Sequence, residues 1–420
     1  MNLVETFGAK VGALSQTNPQ RARALLTAGF RANGVKNKLT GRKASRSDGM
    51  LFQLVNRAMV DCLARPQQNV MVSLFVPCEM LHLQGLHPYS CEGFSSYLSG
   101  SMAEQPFLRQ AEDTGIPNSL CSYHKVFLGA AQMGLMPKPR FILSTSLACD
   151  ANALTFRHMA EFYQVPHFHL DVPFDPCPQA VDYVAGQLRE MGAFLTRQTG
   201  LPVNEGELVR AVARSQRTMD LFRRGLEQRR GKQVLSDLTS ELLRTAAFHF
   251  LLGLPEVEQY ARQLLREITT APPAQGKQIL WIHTTPYWVA PLRQLFAQNP
   301  RVQIAACDMS YEGIHAADPT KPYEAMARRL VYSPINGPVT RRIQAGLDMA
   351  RTVGADGAIW FCHWGCKRTL GGAQLGKKQF EEAGLPTLLL DGDSCDRGFG
   401  GEGQAATRVE AFLEVLEGKA

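Results

Sequence analysis

The stretch IWFCHWGCKRTLGG, residues 359–372, runs from an apolar segment into a loop that carries two cysteines, Cys362 and Cys366. Its first half has the composition of a buried β-strand, and a helical pattern begins near its end. This order of strand, loop and helix is the repeating unit of a parallel α/β sheet. Ligands of such sheets collect beyond the carboxyl ends of the strands, so the stretch places two thiols where chemistry is usually done.

Similar apolar runs, bounded by Pro, Gly or Asp, recur along the chain and are separated by helical patterns. They are NVMVSLFVP, RFILSTSLA, HFHLDVP, QILWIHTTP, VQIAACD and PTLLLDGD. The segment 141–172 and the segment 358–393 also share one order of strand, tip cysteine, helix and second strand. We therefore predict an α/β fold with two tandem Rossmann-like domains, each a doubly wound parallel sheet, and an N-terminal helical segment.

The predicted domain organisation follows from composition shifts along the 420 residues. We expect a basic helical segment over 1–65, a first α/β domain over 66–200, a helical connecting segment over 201–272 and a second α/β domain over 273–420. The proline-rich TTAPPAQGKQ is the predicted linker that opens the last domain.

Charge is concentrated at the N-terminus. Residues 1–46 contain nine Lys or Arg and one acid, whereas the whole chain has a net charge of +7. Such an arm either packs on its own domain as a solvated helix or meets an acidic partner or a phosphate-bearing ligand, and its composition also matches a transit peptide. It lacks interleaved aromatic residues, so we expect no nucleic-acid partner. Without an uncharged apolar run of membrane-spanning length, no membrane association is expected.

The chain has ten cysteines and no recognisable secretory segment. This combination indicates a reducing compartment, and we expect a cytoplasmic protein whose thiols are free, metal-bound or catalytic. Most of the cysteines follow predicted strands or open predicted helices: Cys78, Cys121, Cys149, Cys307, Cys362, Cys366 and Cys395. We interpret Cys91 as lying in a loop, and Cys62, Cys177 and Cys307 as core residues.

The spacing of these thiols limits the chemistry. A structural zinc site needs four ligands in two close pairs, and here only Cys362 and Cys366 are close, at x3 spacing. A thioredoxin-type pair needs Cys-x2-Cys, which this sequence lacks. Thiolates gathered from several strand ends suit an iron–sulfur cluster, because a cluster needs soft ligands and accepts long intervening loops. Buried core cysteines remain the alternative for each thiol taken singly.

Four segments carry a resemblance to a known family. VPCEMLHLQGLHPY, LCSYHKVFLGAAQMGLMPKP, STSLACDANALTF and HWGCKRTLGGAQLGKKQFEEAGLPTLLLDGDSCDR resemble the 2-hydroxyacyl-CoA dehydratase superfamily. That superfamily includes benzoyl-CoA reductase subunits and double-cubane cluster proteins. The resemblance extends over roughly residues 70–170 and 275–415. It implies Rossmann-like domains that hold an oxygen-sensitive cluster, reduced by an ATP-hydrolysing iron–sulfur activator protein.

The resemblance also implies a set of cluster ligands. An ordinary dehydratase subunit holds one [4Fe–4S] cluster through three cysteines. By motif, Cys121 and one of Cys362 or Cys366 correspond to the usual ligands. The remaining suitable thiols are surplus, and six thiolates are what two sulfide-bridged cubanes require. The implied ligands of this double-cubane cluster are Cys78, Cys121, Cys149, Cys362, Cys366 and Cys395. Cys91 is the alternative to Cys78, which is preferred because it is expected to follow a strand directly.

The function implied first is an ATP-dependent iron–sulfur reductase of small, hard-to-reduce substrates. The alternatives are a 2-hydroxyacyl-CoA dehydratase subunit with a single [4Fe–4S] cluster and a non-catalytic cluster scaffold. His124, Lys125 and His363 are candidate catalytic residues, because they neighbour the expected ligands in sequence. The resemblance further implies a homodimer that acts on a small-molecule substrate.

Overall fold

A computed structural model describes residues 3–40, 45–147, 149–234, 236–297 and 299–418. The strands are β1 (Asn69–Val72), β2 (His87–Ser90), β3 (Phe141–Thr145), β4 (His167–Leu170), β5 (Lys277–Ile282), β6 (Val302–Cys307), β7 (Gly357–His363) and β8 (Thr387–Gly392). The helices are α1 (Leu3–Thr17), α2 (Pro19–Thr40), α3 (Arg46–Ala64), α4 (Glu79–Leu83), α5 (Cys91–Gly100), α6 (Gln105–Asp113), α7 (Ser122–Gln132), α8 (Asp150–Tyr163), α9 (Pro178–Thr199), α10 (Glu205–Gln228), α11 (Leu238–Phe250), α12 (Pro255–Thr270), α13 (Ala290–Phe296), α14 (Pro322–Val331), α15 (Val339–Val353), α16 (Lys367–Glu382) and α17 (Glu402–Leu416).

The strands form two parallel four-stranded sheets with the same internal order. The first sheet is β2-β1-β3-β4 and the second is β6-β5-β7-β8. In both sheets, the chain runs from a central strand (β1 or β5) to its neighbour on one side (β2 or β6) and then crosses to its neighbour on the other side (β3 or β7). This reversal creates a crevice at the carboxyl ends of β1 and β3 in the first sheet and of β5 and β7 in the second. The predicted α/β fold of two tandem Rossmann-like units is confirmed.

β7 shows why these sequences form buried strands. Every residue of Gly357–His363 is buried, which suits the central strand of a sheet that is covered on both faces. Helix α16 packs closely over it, because a Cβ at Gly376 would lie 2.2 Å from the Trp360 ring. Glycine in the helix therefore lets α16 approach the strand, and this approach fixes the position of the loop that joins them.

The N-terminal segment is helical, as predicted, and it packs on the rest of the chain. The Ser45 hydroxyl caps α3 by accepting a hydrogen bond from the backbone N–H of Asp48, at 3.0 Å. Such a cap typically stabilises a helix by about 1 kcal/mol. On α2, the guanidinium of Arg23 donates to the carbonyl oxygens of Leu135 (2.8 Å) and Gly134 (3.0 Å). At Arg23, therefore, the basic arm contacts its own protein.

Strand β2 was not expected from the sequence. The stretch HPYSCEGFSSYLSG was interpreted as a loop, but His87–Ser90 pairs with β1 and Cys91 begins helix α5. Pro88 obscures the strand pattern, and the strand tolerates it because β2 lies at the edge of its sheet. The premise for preferring Cys78 is therefore wrong: β1 ends at Val72, whereas Cys91 directly follows a strand.

In the described parts of the chain, four helices, α9, α10, α11 and α12, lie between the last strand of the first sheet and the first strand of the second. Strands β1–β4 fall within 69–170 and strands β5–β8 within 277–392, and the domain boundaries drawn from composition stay a prediction. No helix in the described parts of the chain has the length and apolar character needed to cross a membrane.

Candidate metal centre

Cys121 and His363 join the two halves of the molecule. Cys121 precedes the first residue of α7, and His363 is the last residue of β7. The Sγ atom of Cys121 lies 3.2 Å from Nε2 of His363. The backbone N–H of Ser394 donates to Nδ1 of the same ring, at 3.1 Å. Because Nδ1 accepts, the ring proton is on Nε2, and His363 donates a hydrogen bond to the Cys121 sulfur.

The loop after β7 lies directly on the backbone at Cys121. Gly365 has a φ of +79°, in the left-handed region, and a Cβ there would lie 2.6 Å from the Cα of Cys121. Any side chain would therefore strain the loop and collide with the backbone of the other half. The glycine of HWGC allows Cys366 to come close to Cys121.

Cys149 and Cys366 occupy equivalent positions in the two sheets. Each follows the third strand of its sheet and immediately precedes a helix, α8 for Cys149 and α16 for Cys366. Cys121 has the same relation to α7. The N-terminal end of a helix favours negative charge, so all three positions would stabilise a sulfur that is bound to a metal as thiolate.

Cys121, Cys149 and Cys366 are here called the three-thiol group, and neighbouring thiols affect the pKa of two of them, Cys121 and Cys149. Burial raises the pKa of Cys121 well above its ordinary value, and Cys366, Asp393 and Cys149 raise it further. Burial likewise raises the pKa of Cys149 to about 12, with a smaller contribution from Cys366. All three side chains are half-buried. Neighbouring thiols resist ionising together because the two negative charges repel each other. A cationic centre among them offsets this repulsion and allows them to bind it as thiolates.

Cys91 and Cys395 lie behind the three-thiol group. Both are fully buried, and each donates to a backbone carbonyl: Cys91 to Tyr123 at 3.4 Å and Cys395 to Ser95 at 3.6 Å. Burial raises the pKa of both thiols well above the ordinary value, and Cys121 is among the groups that raise it further in each case.

Two of the expected ligands are directed elsewhere. The Cys78 sulfur contacts the carbonyl oxygen of Val76 at 3.2 Å, and its charged neighbours are Glu79 and Arg329. Cys362 precedes His363 on β7, and successive side chains of a strand point to opposite faces. Since His363 contacts Cys121, Cys362 lies on the other face of the sheet. Burial raises the pKa of Cys362, and Asp391 raises it further. Their role as ligands stays a prediction.

The candidate catalytic residues His124 and Lys125 are both buried on α7. Nδ1 of His124 lies 3.6 Å from the Cys91 sulfur. Burial, helped by His363, lowers the pKa of His124 to about 4, so its ring is neutral near pH 7. Nζ of Lys125 instead donates to Glu112 (2.6 Å) and to the carbonyl oxygen of Asn118 (3.1 Å). Lys125 thereby holds the segment that leads into Cys121.

Asp393 fixes the segment that carries Cys395. Its Oδ1 atom accepts from the backbone N–H groups of Cys395 and Asp396, each at 2.7 Å, and from the Ser122 hydroxyl at 2.7 Å. This carboxylate therefore connects the turn after β8 to the first residue of α7. Such contacts orient neighbouring ligands, and this one holds Cys121 and Cys395 in a fixed relation.

Sequence reasoning missed His283, which follows β5. It has a φ of +85°, unusual for a residue other than glycine, and its ring lies 6.1 Å from that of His363. Among the described residues, neither buried ring nitrogen has a hydrogen-bond partner, and the same is true of Nη2 of buried Arg342. Strained residues with unpaired polar atoms concentrate at functional sites. The available sequence signal was a histidine at the end of a strand, in QILWIHTTP.

The three-thiol group fits an iron–sulfur cluster better than a single ion. In the described ranges, no three Cys, His, Asp or Glu side chains are arranged to bind one metal ion. A cubane accepts a wider arrangement, because each thiolate binds a different iron. Three half-buried thiols that each directly precede a helix, with a histidine donating to one sulfur, form a donor set suited to such a cluster.

A cavity of about 690 Å³ reaches the side chains that pack on His363. Its wall includes Tyr123, whose ring is 5.2 Å from the His363 ring, and Thr284, whose hydroxyl is 2.8 Å from that of Ser394. The volume falls in the range of small-molecule binding sites. One layer of side chains separates this space from His363.

Comparisons with known proteins agree with the geometry. The family model described as 2-hydroxyglutaryl-CoA dehydratase, D-component, matches residues 73–416. The alpha subunit of (R)-phenyllactyl-CoA dehydratase from Clostridium sporogenes is 20% identical over 338 residues, which cover 75% of this chain and 81% of that subunit. The alpha subunit of (R)-2-hydroxyglutaryl-CoA dehydratase from Acidaminococcus fermentans is 23% identical over 302 residues, 67% of this chain and 61% of that subunit. The chain belongs to the 2-hydroxyglutaryl-CoA dehydratase D-component family.

Proposed function

We propose that the protein is the cluster-bearing subunit of an iron–sulfur enzyme that removes water from a 2-hydroxyacyl-CoA. The three-thiol group carries this proposal, because Cys121, Cys149 and Cys366 would hold three irons of a [4Fe–4S] cluster where the two halves of the chain meet. Bound there, the cluster would supply single-electron chemistry and an open iron for a substrate oxygen.

The surrounding residues have separate tasks in this proposal. His363 donates to the Cys121 sulfur and would stabilise negative charge on it. His283 has two ring nitrogens without partners among the described residues, and burial lowers its pKa well below the ordinary value, so its neutral ring would hydrogen-bond the substrate. Lys125 and Asp393 position Cys121 through backbone and side-chain hydrogen bonds and contact no substrate.

The neighbouring cavity favours dehydration over the reduction of very small molecules. A volume of about 690 Å³ is far more than a diatomic or triatomic substrate needs. It suits the acyl part of a thioester, which would reach Tyr123 and Thr284. The named activities of the two relatives, both acyl-CoA dehydratases, support the same choice.

Electron supply and assembly complete the proposal. A low-potential cluster requires a dedicated donor, and we assign this to an ATP-hydrolysing iron–sulfur activator. The exposed rings of Trp364 and Phe399, with centroids 5.7 Å apart, lie on the loops after β7 and β8 and are the proposed contact. A second subunit is proposed because both relatives are alpha subunits, and the expected homodimer remains the alternative.

The test uses anaerobically purified protein, its activator, ATP and a low-potential reductant. We expect dehydration of a 2-hydroxyacyl-CoA with many products formed per electron, because dehydration consumes none. Withholding ATP should abolish turnover. If products never exceed one per two electrons, the enzyme is a reductase, and cluster transfer to an apo-protein without turnover indicates a scaffold.

A second candidate function is the double-cubane reductase. It is favoured by Cys91 and Cys395, which lie close enough to Cys121 for each thiol to perturb another's ionisation. A double cubane would need six thiolates. Cys91, Cys395 and the three-thiol group would supply five of them, and Cys362 or Cys78 would supply the sixth. About eight irons per chain, in place of about four, would establish this candidate.

A further inference from the structure

The cavity that Tyr123 and Thr284 line is strongly apolar. Helix α2 contributes Phe30, helix α3 contributes Phe52, and helix α11 contributes Phe250 to its lining. Water in such a space has few hydrogen-bond partners, so an apolar ligand replaces it favourably. The cavity therefore selects its ligand mainly by apolar surface and volume.

Charged lining residues are few and unevenly placed. Lys36 lies on α2 where the cavity reaches the exposed surface, and Glu92 lies on α5. The Oε2 atom of Glu92 is buried without a hydrogen-bond partner among the described residues. No other described residue that lines the cavity is charged. A ligand carrying a carboxylate would lose its hydration there and face a second carboxyl group, which is unfavourable.

The outer wall comes from the N-terminal helices. Leu3, Phe7 and Lys36 line the cavity, and all three lie before residue 73, where the family match begins. The inner wall is formed by Tyr123 and Thr284, within the matched region and next to the candidate metal centre. One cavity thus connects the N-terminal helices, which precede the residues of the family match, with a part of the chain that lies inside the match.

We propose that this cavity binds the acyl side chain of a 2-hydroxyacyl-CoA whose side chain is apolar and bulky, such as a medium-chain, branched or aryl group, and that it rejects acyl groups ending in a carboxylate. The thioester part of this inference rests on the proposed function. The N-terminal helices are then the element that sets specificity, and the basic residue at the mouth, Lys36, lies where the CoA phosphates would pass.

The test is a binding series on the anaerobically purified protein by titration calorimetry. The probes are octanoyl-CoA, acetyl-CoA and glutaryl-CoA, which lack the 2-hydroxyl group and cannot be dehydrated. We expect the Kd of octanoyl-CoA to be at least about tenfold below the other two, since each buried methylene contributes about fourfold. Equal Kd values for the three probes, or tighter binding of glutaryl-CoA, would overturn the inference.

Cavity-filling variants locate the binding. Ala58→Phe on α3 and Ala246→Phe on α11 place a ring into the cavity from two walls, because both alanines are half-buried lining residues. Each should raise the Kd of octanoyl-CoA about tenfold or more and leave that of acetyl-CoA within about twofold. Ala64→Phe, on the exposed end of α3, is the matched control and should change neither. If both filling variants fold and bind octanoyl-CoA like the parent protein, the ligand lies elsewhere.

The outcomes separate this inference from the proposed function. Binding of saturated acyl-CoAs needs neither electrons nor the activator, so a preference for octanoyl-CoA supports the inference even if no 2-hydroxyacyl-CoA is dehydrated. Conversely, efficient dehydration of 2-hydroxyglutaryl-CoA by an iron-loaded protein would keep the proposed function and contradict the apolar specificity.

Discussion

His363 donates a hydrogen bond to the sulfur of Cys121 at 3.2 Å, although the two residues are 242 positions apart in the chain. Cys121 precedes a helix in the first half of the molecule, and His363 ends the central strand of the second. A contact of this kind makes the candidate metal centre depend on how the two halves pack. It also couples a neutral histidine to the charge on a proposed cluster ligand.

The first prediction concerns this hydrogen bond. His363→Phe removes the donor to Cys121, and a thiolate without its hydrogen bond makes a cluster harder to reduce. We expect the variant to retain iron and to show a more negative midpoint potential in an EPR-monitored redox titration. His158→Phe, at an exposed position of α8, is the control. A midpoint potential unchanged in His363→Phe would show that the contact does not act on the cluster.

The second prediction concerns the loop after β7. Gly365→Ala introduces a Cβ that would lie 2.6 Å from the Cys121 backbone, at a φ of +79°. The loop must shift, and Cys366 moves away from Cys121. We expect the iron content to fall by more than half, measured on anaerobically purified protein. Gly371→Ala on α16 meets no atom within 4 Å and should keep full iron content. Equal iron in both variants would contradict the close approach.

The third prediction separates ligands from other thiols. Replacing Cys121, Cys149 or Cys366 by serine should each lower the iron content and change the EPR spectrum, because one thiolate of the three-thiol group is lost. Cys62→Ser, buried on α3, should do neither, apart from a modest loss of stability. If Cys149→Ser keeps full iron and an unchanged spectrum, the third ligand lies elsewhere, with Cys91 as the first replacement.

The same experiment examines two predicted ligands that lie apart from the group. Cys78→Ser and Cys362→Ser should leave the iron content unchanged if one [4Fe–4S] cluster is bound. Both sulfurs contact backbone carbonyl oxygens, those of Val76 and Trp360. A loss of iron in either variant would instead favour the double-cubane arrangement.

Most of the fold could be predicted from the sequence, because seven of the eight strands in the described ranges lie in largely apolar runs with clear boundaries. β2 could not, since HPYS contains a proline and only one strongly apolar residue, Tyr89. The similarity of 141–172 and 358–393 predicted two similar α/β domains, and the structure adds that both sheets have the same strand order and that Cys149 and Cys366 occupy equivalent positions.

The site was harder to predict, because sequence gives the position of a thiol along a strand and not the face on which it lies. Cys362 and Cys366 looked like a pair, yet the contact of His363 with Cys121 places Cys362 on the opposite face. Cys78 and Cys91 could not be distinguished until the strand before Cys91 was known. His283 required a backbone angle to be noticed.

The fourth prediction concerns stability below neutral pH. Burial lowers the pKa of His82 to about 4, from about 6.5 in an unfolded chain. Between these values the unfolded state binds a proton that the folded state does not, so the free energy of unfolding falls as the pH falls from about 6.5 to 4. We expect His82→Gln to reduce this loss by roughly 2 kcal/mol in urea titrations at pH 7 and pH 4.5. The control His158→Gln, at an exposed position, should lose as much stability between pH 7 and pH 4.5 as the parent protein. The same loss in His82→Gln would contradict the prediction.

The central claim is that Cys121, Cys149 and Cys366 hold an iron–sulfur cluster where the two halves of the chain meet. Iron and acid-labile sulfide analysis of anaerobically purified protein, combined with Mössbauer spectroscopy, tests it most directly. We expect a brown protein with about four irons and four sulfides per chain in a [4Fe–4S] cluster. A colourless protein that contains zinc or no metal, from a preparation in which a known iron–sulfur protein retains its cluster, would contradict it.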